Sequence, residues 1–182
     1  MRSRLARQFL GTALLLAAFS SAYAAESGIY LGAGIGLSKL SHGSTSNPGL
    51  KYFWGFHVHD FPVQKLAGDI QFSVQAEYVN FGKSDWAGTT WNNSGVALAG
   101  MGKWVLPRKW GEWGDERFAV VAKLGLARIA PKSSNGTTIT YTGITQGTGA
   151  EYRFAPAASV RGMIEFYPNG YRLNSLAVMI SF

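Results

Sequence analysis

Cysteine is absent from the 182 residues, so the chain is held together without disulfides. No stretch after residue 24 shows apolar residues at a 3.6-residue period, which argues against a helical domain. Histidine occurs only at 42, 57 and 59, which leaves little material for imidazole chemistry. Acidic residues are also few, 10 against 17 basic ones. Three of those bases and none of the acids lie in residues 1–24, so the remainder carries 14 against 10, a net +4. That excess is small and scattered, whereas nucleic-acid binding calls for Lys and Arg gathered on one face, so nucleic acid is not an expected partner.

The first 24 residues have their own pattern. Arg2, Arg4 and Arg7 precede an apolar run from Phe9 to Phe19, and Ala22-Tyr23-Ala24 is a small-x-small cleavage pattern. The run is shorter than the roughly 20 residues of a spanning helix. The segment therefore reads as an export signal removed after Ala24, leaving residues 25–182 as one domain.

What the chain does have is glycine, 23 of them, and apolar residues at every second position. This pattern predicts an all-β protein with eight strands near 28–39, 50–60, 69–81, 93–105, 117–129, 138–153, 158–167 and 173–182. Turn chemistry separates them at "SHGSTSNPG", "GKSDWAGTTWNN", "PKSSNG" and "PNG". An even count closes into an up-and-down barrel with both termini at one end.

Faces are sharply divided. Ile70, Phe72, Val74, Ala76 and Tyr78 alternate with Gln71, Ser73, Gln75 and Glu77, while Val160, Gly162, Ile164 and Phe166 alternate with Ser159, Arg161, Met163 and Glu165. A soluble β-sandwich alternates too, with its apolar face as the core, so this pattern leaves the solvent open. Aromatic residues at strand ends (Tyr52, Trp54, Tyr78, Phe81, Trp104, Tyr152, Phe154, Phe166, Tyr167) favour the girdles of a membrane barrel.

The segments "YLGAGIGLS", "AEYVNFG", "AKLGLARI", "GTGAEYRFAPAASVRGMIEFY" and the final "MISF" resemble the eight-stranded OmpA-like transmembrane domain of Gram-negative outer membranes. The resemblance runs from Gly28 to Phe182, and the hairpin at 147–167 is its most specific part. It implies a structural transmembrane β-barrel of the cell outer membrane without catalytic activity. Its partners would be outer-membrane lipid and lipopolysaccharide, the assembly machinery, and a host or surface ligand at the outer loops. It also implies that Phe182, with Ile180 and Val178 on the same face, is the signal read by that machinery. No peptidoglycan-binding module is expected after Phe182, and no cofactor is implied.

Period-two parity turns Glu77, Lys103, Lys123, Glu151, Arg161 and Glu165 inward, three acids and three bases able to neutralise one another. The resemblance implies a lumenal charge network at these positions. Gln75 and Met101 depart from it where an acid in the third strand and a lysine in the fourth are expected. Two readings follow, a structural plug or a small ion- or solute-conducting, porin-like pore gated by the network. In the sixth strand the same parity leaves Gln146 and Thr148 facing lipid, unless a bulge near the glycines shifts the phase.

Catalysis and metal binding have thin support. His57 and His59 are expected to share a face of the second strand near its periplasmic end, away from the rim where lipid A is modified, and the His-Tyr-Ser signature of lipid A deacylases is missing. With Asp60 and Asp69 nearby in sequence the pair lacks placed third and fourth zinc ligands. The outer loops, 40–49, 82–93, 130–138 and 167–172, contain Lys39, His42, Lys83, Trp86, Trp91, Lys132 and Arg172, a mildly basic, aromatic rim. The 107–117 turn, "PRKWGEWGDER", falls on the periplasmic side.

Overall fold

Alternation with period two becomes eight long antiparallel strands closed into a ring. The computed structural model describes residues 28–40, 46–63, 68–86, 88–106 and 117–182, so the expected signal segment 1–24 and most of the 107–117 turn lie outside the described residues. The strands are β1 (Ile29–Lys39), β2 (Ser46–Val63), β3 (Gly68–Trp86), β4 (Thr89–Val105), β5 (Phe118–Ile129), β6 (Lys132–Ser133), β7 (Tyr141–Ala155), β8 (Ala158–Phe166) and β9 (Arg172–Ser181). β6 is a two-residue addition to the edge of β4, and the other eight form the barrel. The last strand closes on the first, from Tyr30↔Ser181 to Lys39↔Arg172.

The registers set the geometry of the ring. From Ala33, paired residues run through Tyr52, Tyr78, Val96 and Arg128 to Thr142 on β7. In the other direction they run through Val178 and Val160 to Tyr152, ten residues further along the same strand. A stagger of that size over eight strands tilts them by roughly 40° and leaves an interior that side chains fill.

Burial decides which face meets which medium. Ile35, Leu124 and Ile144 on the outside are 67%, 64% and 65% exposed, while Lys123 and Glu165 inside are 3% and 0% exposed. A soluble sandwich would bury the apolar face, so this inverted arrangement belongs to a transmembrane barrel. The end of the barrel where β1 begins and β9 ends is the terminal rim, and its opposite is the distal rim.

Several elements differ from the sequence-based expectation. The 82–93 segment, expected as a loop, instead extends β3 to Trp86 and starts β4 at Thr89. A bulge at Asn80/Gly82 bends it, with the Gly82 N–H donating to Asn80 Oδ1 at 2.8 Å and Gly82 at φ +82°. Phe81 and Tyr167 are not girdle residues: inward parity buries both in the lumen. β7 pairs with β5 without interruption from Phe118↔Tyr152 to Ile129↔Tyr141, so no bulge forms at its glycines, and Gln146 and Thr148 face outward. The Thr148 hydroxyl is satisfied locally, donating to the Val121 carbonyl at 3.2 Å.

Candidate functional site in the barrel lumen

The lumen is layered. Nearest the distal rim lies an apolar cap of Leu40, Val79, Phe81, Ile129, Tyr171 and Leu173, with Phe81 packed on Tyr167 and Tyr171 at ring-centroid distances of 5.1 and 5.0 Å. The Tyr171 hydroxyl donates to Asn93 Oδ1 at 3.0 Å, and burial, aided by Tyr141, pushes its pKa up to about 12. It therefore stays protonated, and a donor, at neutral pH.

Below the cap sits the first charged cluster. Lys51 Nζ is 2.6 Å from Glu165 Oε1 and 3.2 Å from Glu77 Oε1, and Lys123 Nζ is 2.8 Å from Glu77 Oε2 and bonded to Glu165 Oε1. The Tyr167 hydroxyl donates to Glu77 Oε2 at 3.1 Å, and that of Ser175 to Glu165 Oε2 at 3.1 Å. Lys123 also lies 4.6 Å from the centre of the Tyr167 ring.

Gln75 joins this cluster to a second one. Its amide nitrogen donates to Glu77 Oε1 at 2.6 Å, while its oxygen accepts from Arg161 Nη1 at 3.0 Å and from the Tyr30 hydroxyl at 3.1 Å. Arg161 in turn holds Glu151 Oε2 through Nε and Nη2, at 3.0 and 2.7 Å, and Lys103 holds Glu151 Oε1 at 2.8 Å. Beside this cluster Met101, Val121 and Met163 pack together. A polar vestibule of about 370 Å³, lined by Tyr30, Lys103, Glu151, Arg153, Ser159 and Arg161 among others, lies at the terminal end.

The registers explain how distant residues meet. Glu151 and Arg161 are direct cross-strand partners on β7 and β8. Gly147 stands between Lys123 and Glu165 in one paired row, and a Cβ there would meet Glu165 Cγ at 3.1 Å. Its missing side chain lets the lysine and the carboxylate meet across β7. In the same way the Tyr30 ring occupies the space over Gly55.

All six residues expected inside are there, and the structure adds others. Lys51 is a fourth base, so the two clusters hold four bases against three acids rather than equal numbers. Sequence reading misses it because aromatic residues occupy both parities of "KYFWGF", which hides the inward set of Lys51, Phe53 and Gly55. Gln75, read as a departure from the expected acid, is the neutral bridge between the clusters.

The two-residue phase expected for the histidines is broken. A bulge between His57 and His59 pairs the two backbone positions with Ser73 and Phe72, adjacent residues of β3. His57 Nε2 lies 3.1 Å from Asp60 Oδ1 at the terminal rim. Among the described residues no three His, Cys, Asp or Glu gather as metal ligands.

Solved structures share this architecture. Ail, the attachment invasion locus protein of Yersinia pestis, matches with a TM-score of 0.56 at 11% identity over 85% of this chain and 95% of its own. The N-terminal β-barrel domain of Pseudomonas aeruginosa OprF matches with a TM-score of 0.55 at 12% identity, over 84% and 97%. Neisserial surface protein A matches with 0.53 at 16%, over 86% and 98%. At such identities the likeness concerns the fold. No curated protein matches the chain. The model of the outer membrane protein β-barrel domain, however, matches residues 10–178, and with an inside-out eight-stranded barrel it makes this chain a member of that family.

Proposed function

We propose that the chain is a structural outer-membrane barrel without catalytic activity, exported by a signal cleaved after Ala24, with a closed lumen and a distal rim that faces the cell exterior and meets a surface ligand. The observation that carries this reading is the filled interior. Two interlocked ion-pair clusters lie under an apolar cap, and each charged group in them has an opposite charge within 2.8 Å. Buried pairs with this degree of satisfaction are costly to open.

The surface role draws on the charge of the distal rim. There Lys39, Lys83, Arg128, Lys132 and Arg172 face a single acid, Asp85, among the described residues. Such a rim attracts polyanions. Ail, similar in fold, is also solved with the heparin analogue sucrose octasulfate, at a TM-score of 0.51 to this chain.

Conductance tests the closed lumen. The mature chain, refolded in detergent and inserted into a planar bilayer, should show no discrete current steps, and neither should Arg161→Ala. The pore reading has one observation in its favour: the vestibule reaches the Arg161–Glu151 pair from the terminal side. Steps in the parent protein that change size in Arg161→Ala would replace the plug with a gated pore.

A further inference from the structure

The outward face of the β1–β9 seam carries two cations, Lys39 and Arg172, that have no ion-pair partner among the described residues. Lys39 and Arg172 are direct cross-strand partners. Like charges placed opposite each other destabilise a strand pair. Arg172 is positioned by its neighbours: its guanidinium lies 5.4 Å from the centre of the Phe166 ring, and Nε donates to Asn174 Oδ1 at 3.2 Å. Lys39 has no ion-pair partner among the described residues.

Directly along the same seam, away from the rim, the surface turns apolar and concave. Leu37 faces Asn174, Ile35 faces Leu176, and Ala33 faces Val178. Ala33 is small between Tyr52 on one side and Val178 on the other. There a groove of about 990 Å³ crosses the barrel wall from Val160 on β8 to Val96 on β4, and at the seam it is lined by Ala33, Ile35, Leu176 and Val178, with Leu50 and Tyr52 beside them. The first lining pair, Ile35 and Leu176, is four residues from the cations, roughly 13 Å along the strand.

We propose that this seam is a binding site for one phosphorylated lipid of the outer leaflet, with the phosphate between Lys39 and Arg172 and an acyl chain in the groove over Ala33. A phosphate oxygen on each cation cancels their repulsion and adds charge-assisted hydrogen bonds. Asn174, one pair further in, offers polar atoms to the headgroup. A free anion would use the cations and leave the groove empty. A second copy docked symmetrically would bring its own Lys39 and Arg172 against these two. A lipid answers both halves of the site.

The site rests on the reading that the distal rim faces the cell exterior, and that reading has its own check. The chain has no cysteine, so Asn135→Cys, in the exposed distal connection after β6, should react with a membrane-impermeant maleimide on intact cells. No labelling on intact cells, with labelling after lysis, would overturn the orientation and with it the outer-leaflet assignment. The lipid site is tested separately, by native mass spectrometry of the mature chain in detergent titrated with bisphosphorylated lipid A. One lipid should be retained per barrel. Lys39→Gln/Arg172→Gln should weaken retention by at least about tenfold, while Arg128→Gln, a distal cation on β5, should change it little. Ala33→Trp, which fills the groove and leaves the charges, should also weaken it. Heat-modifiable migration in gels confirms that each variant is folded.

Equal losses in the Arg128 and Lys39/Arg172 variants would reduce the site to diffuse rim charge and overturn it. So would equal retention of dephosphorylated lipid A. Inorganic phosphate displacing the lipid at comparable concentration would show a free-anion site, and an unaffected Ala33→Trp would show that no chain lies in the groove. Either result overturns the lipid assignment.

Discussion

Glu165→Ala should lose about 3–5 kcal/mol of unfolding free energy in urea, the range for removing one partner of a buried ion pair. Glu165 is fully buried and receives Lys51, Lys123 and Ser175. Without it two lysines share the single carboxylate of Glu77, and one positive charge is left in a lumen it cannot leave. Lys51→Met added to Glu165→Ala restores one base to one acid, and most of the loss should return. Tryptophan fluorescence during urea unfolding in detergent or thin bilayers reads both. A single-variant cost below about 1 kcal/mol would mean that water reaches the cluster and solvates it as at a surface.

Deleting Phe182 should remove most of the protein from the outer membrane of cells while leaving refolding in detergent nearly intact. Phe182 donates its N–H to the Ile29 carbonyl at 2.8 Å, one bond beyond a β1–β9 ladder that already runs from Ser181 to Arg172. Losing one bond at the end of so long a ladder costs on the order of 1 kcal/mol. A large drop in cells with a small drop in the refolded yield separates recognition of Phe182, Ile180 and Val178 during assembly from simple closure of the ring. Comparable drops in both would assign the residue to the seam alone.

Much of this molecule is legible in the order of its residues. The parity of "SVRGMIEF" places Arg161 and Glu165 on the lumenal side because strand side chains alternate without exception between bulges. The tight "FAPA" reversal is equally clear, since proline stops a strand: β7 ends at Ala155 and β8 begins at Ala158. Bulges are where parity reading fails. An extra residue at His57/His59 shifts the phase through hydrogen bonding and backbone torsion, neither of which leaves a compositional mark in a strand of mixed aromatics. Conversely, parity holds through the glycines of β7, where a bulge would have shifted the phase, and one of them, Gly147, makes space for Lys123 to reach Glu165.

Class, strand count and the division of each strand into two faces follow from a two-residue period read locally, so the order of residues dictates them without reference to distant parts of the chain, whereas closure and the face that meets lipid belong to the ring. Which charges touch is a different matter, and it depends on the assembled ring. Lys51 and Glu165 are 114 residues apart in the chain, and they meet because a stagger of ten residues brings β2 and β8 to one level of the lumen. Lys39 and Arg172 likewise become neighbours only when the last strand closes on the first. Stagger is a property of the whole barrel, summed over eight pairings, and no single strand encodes it.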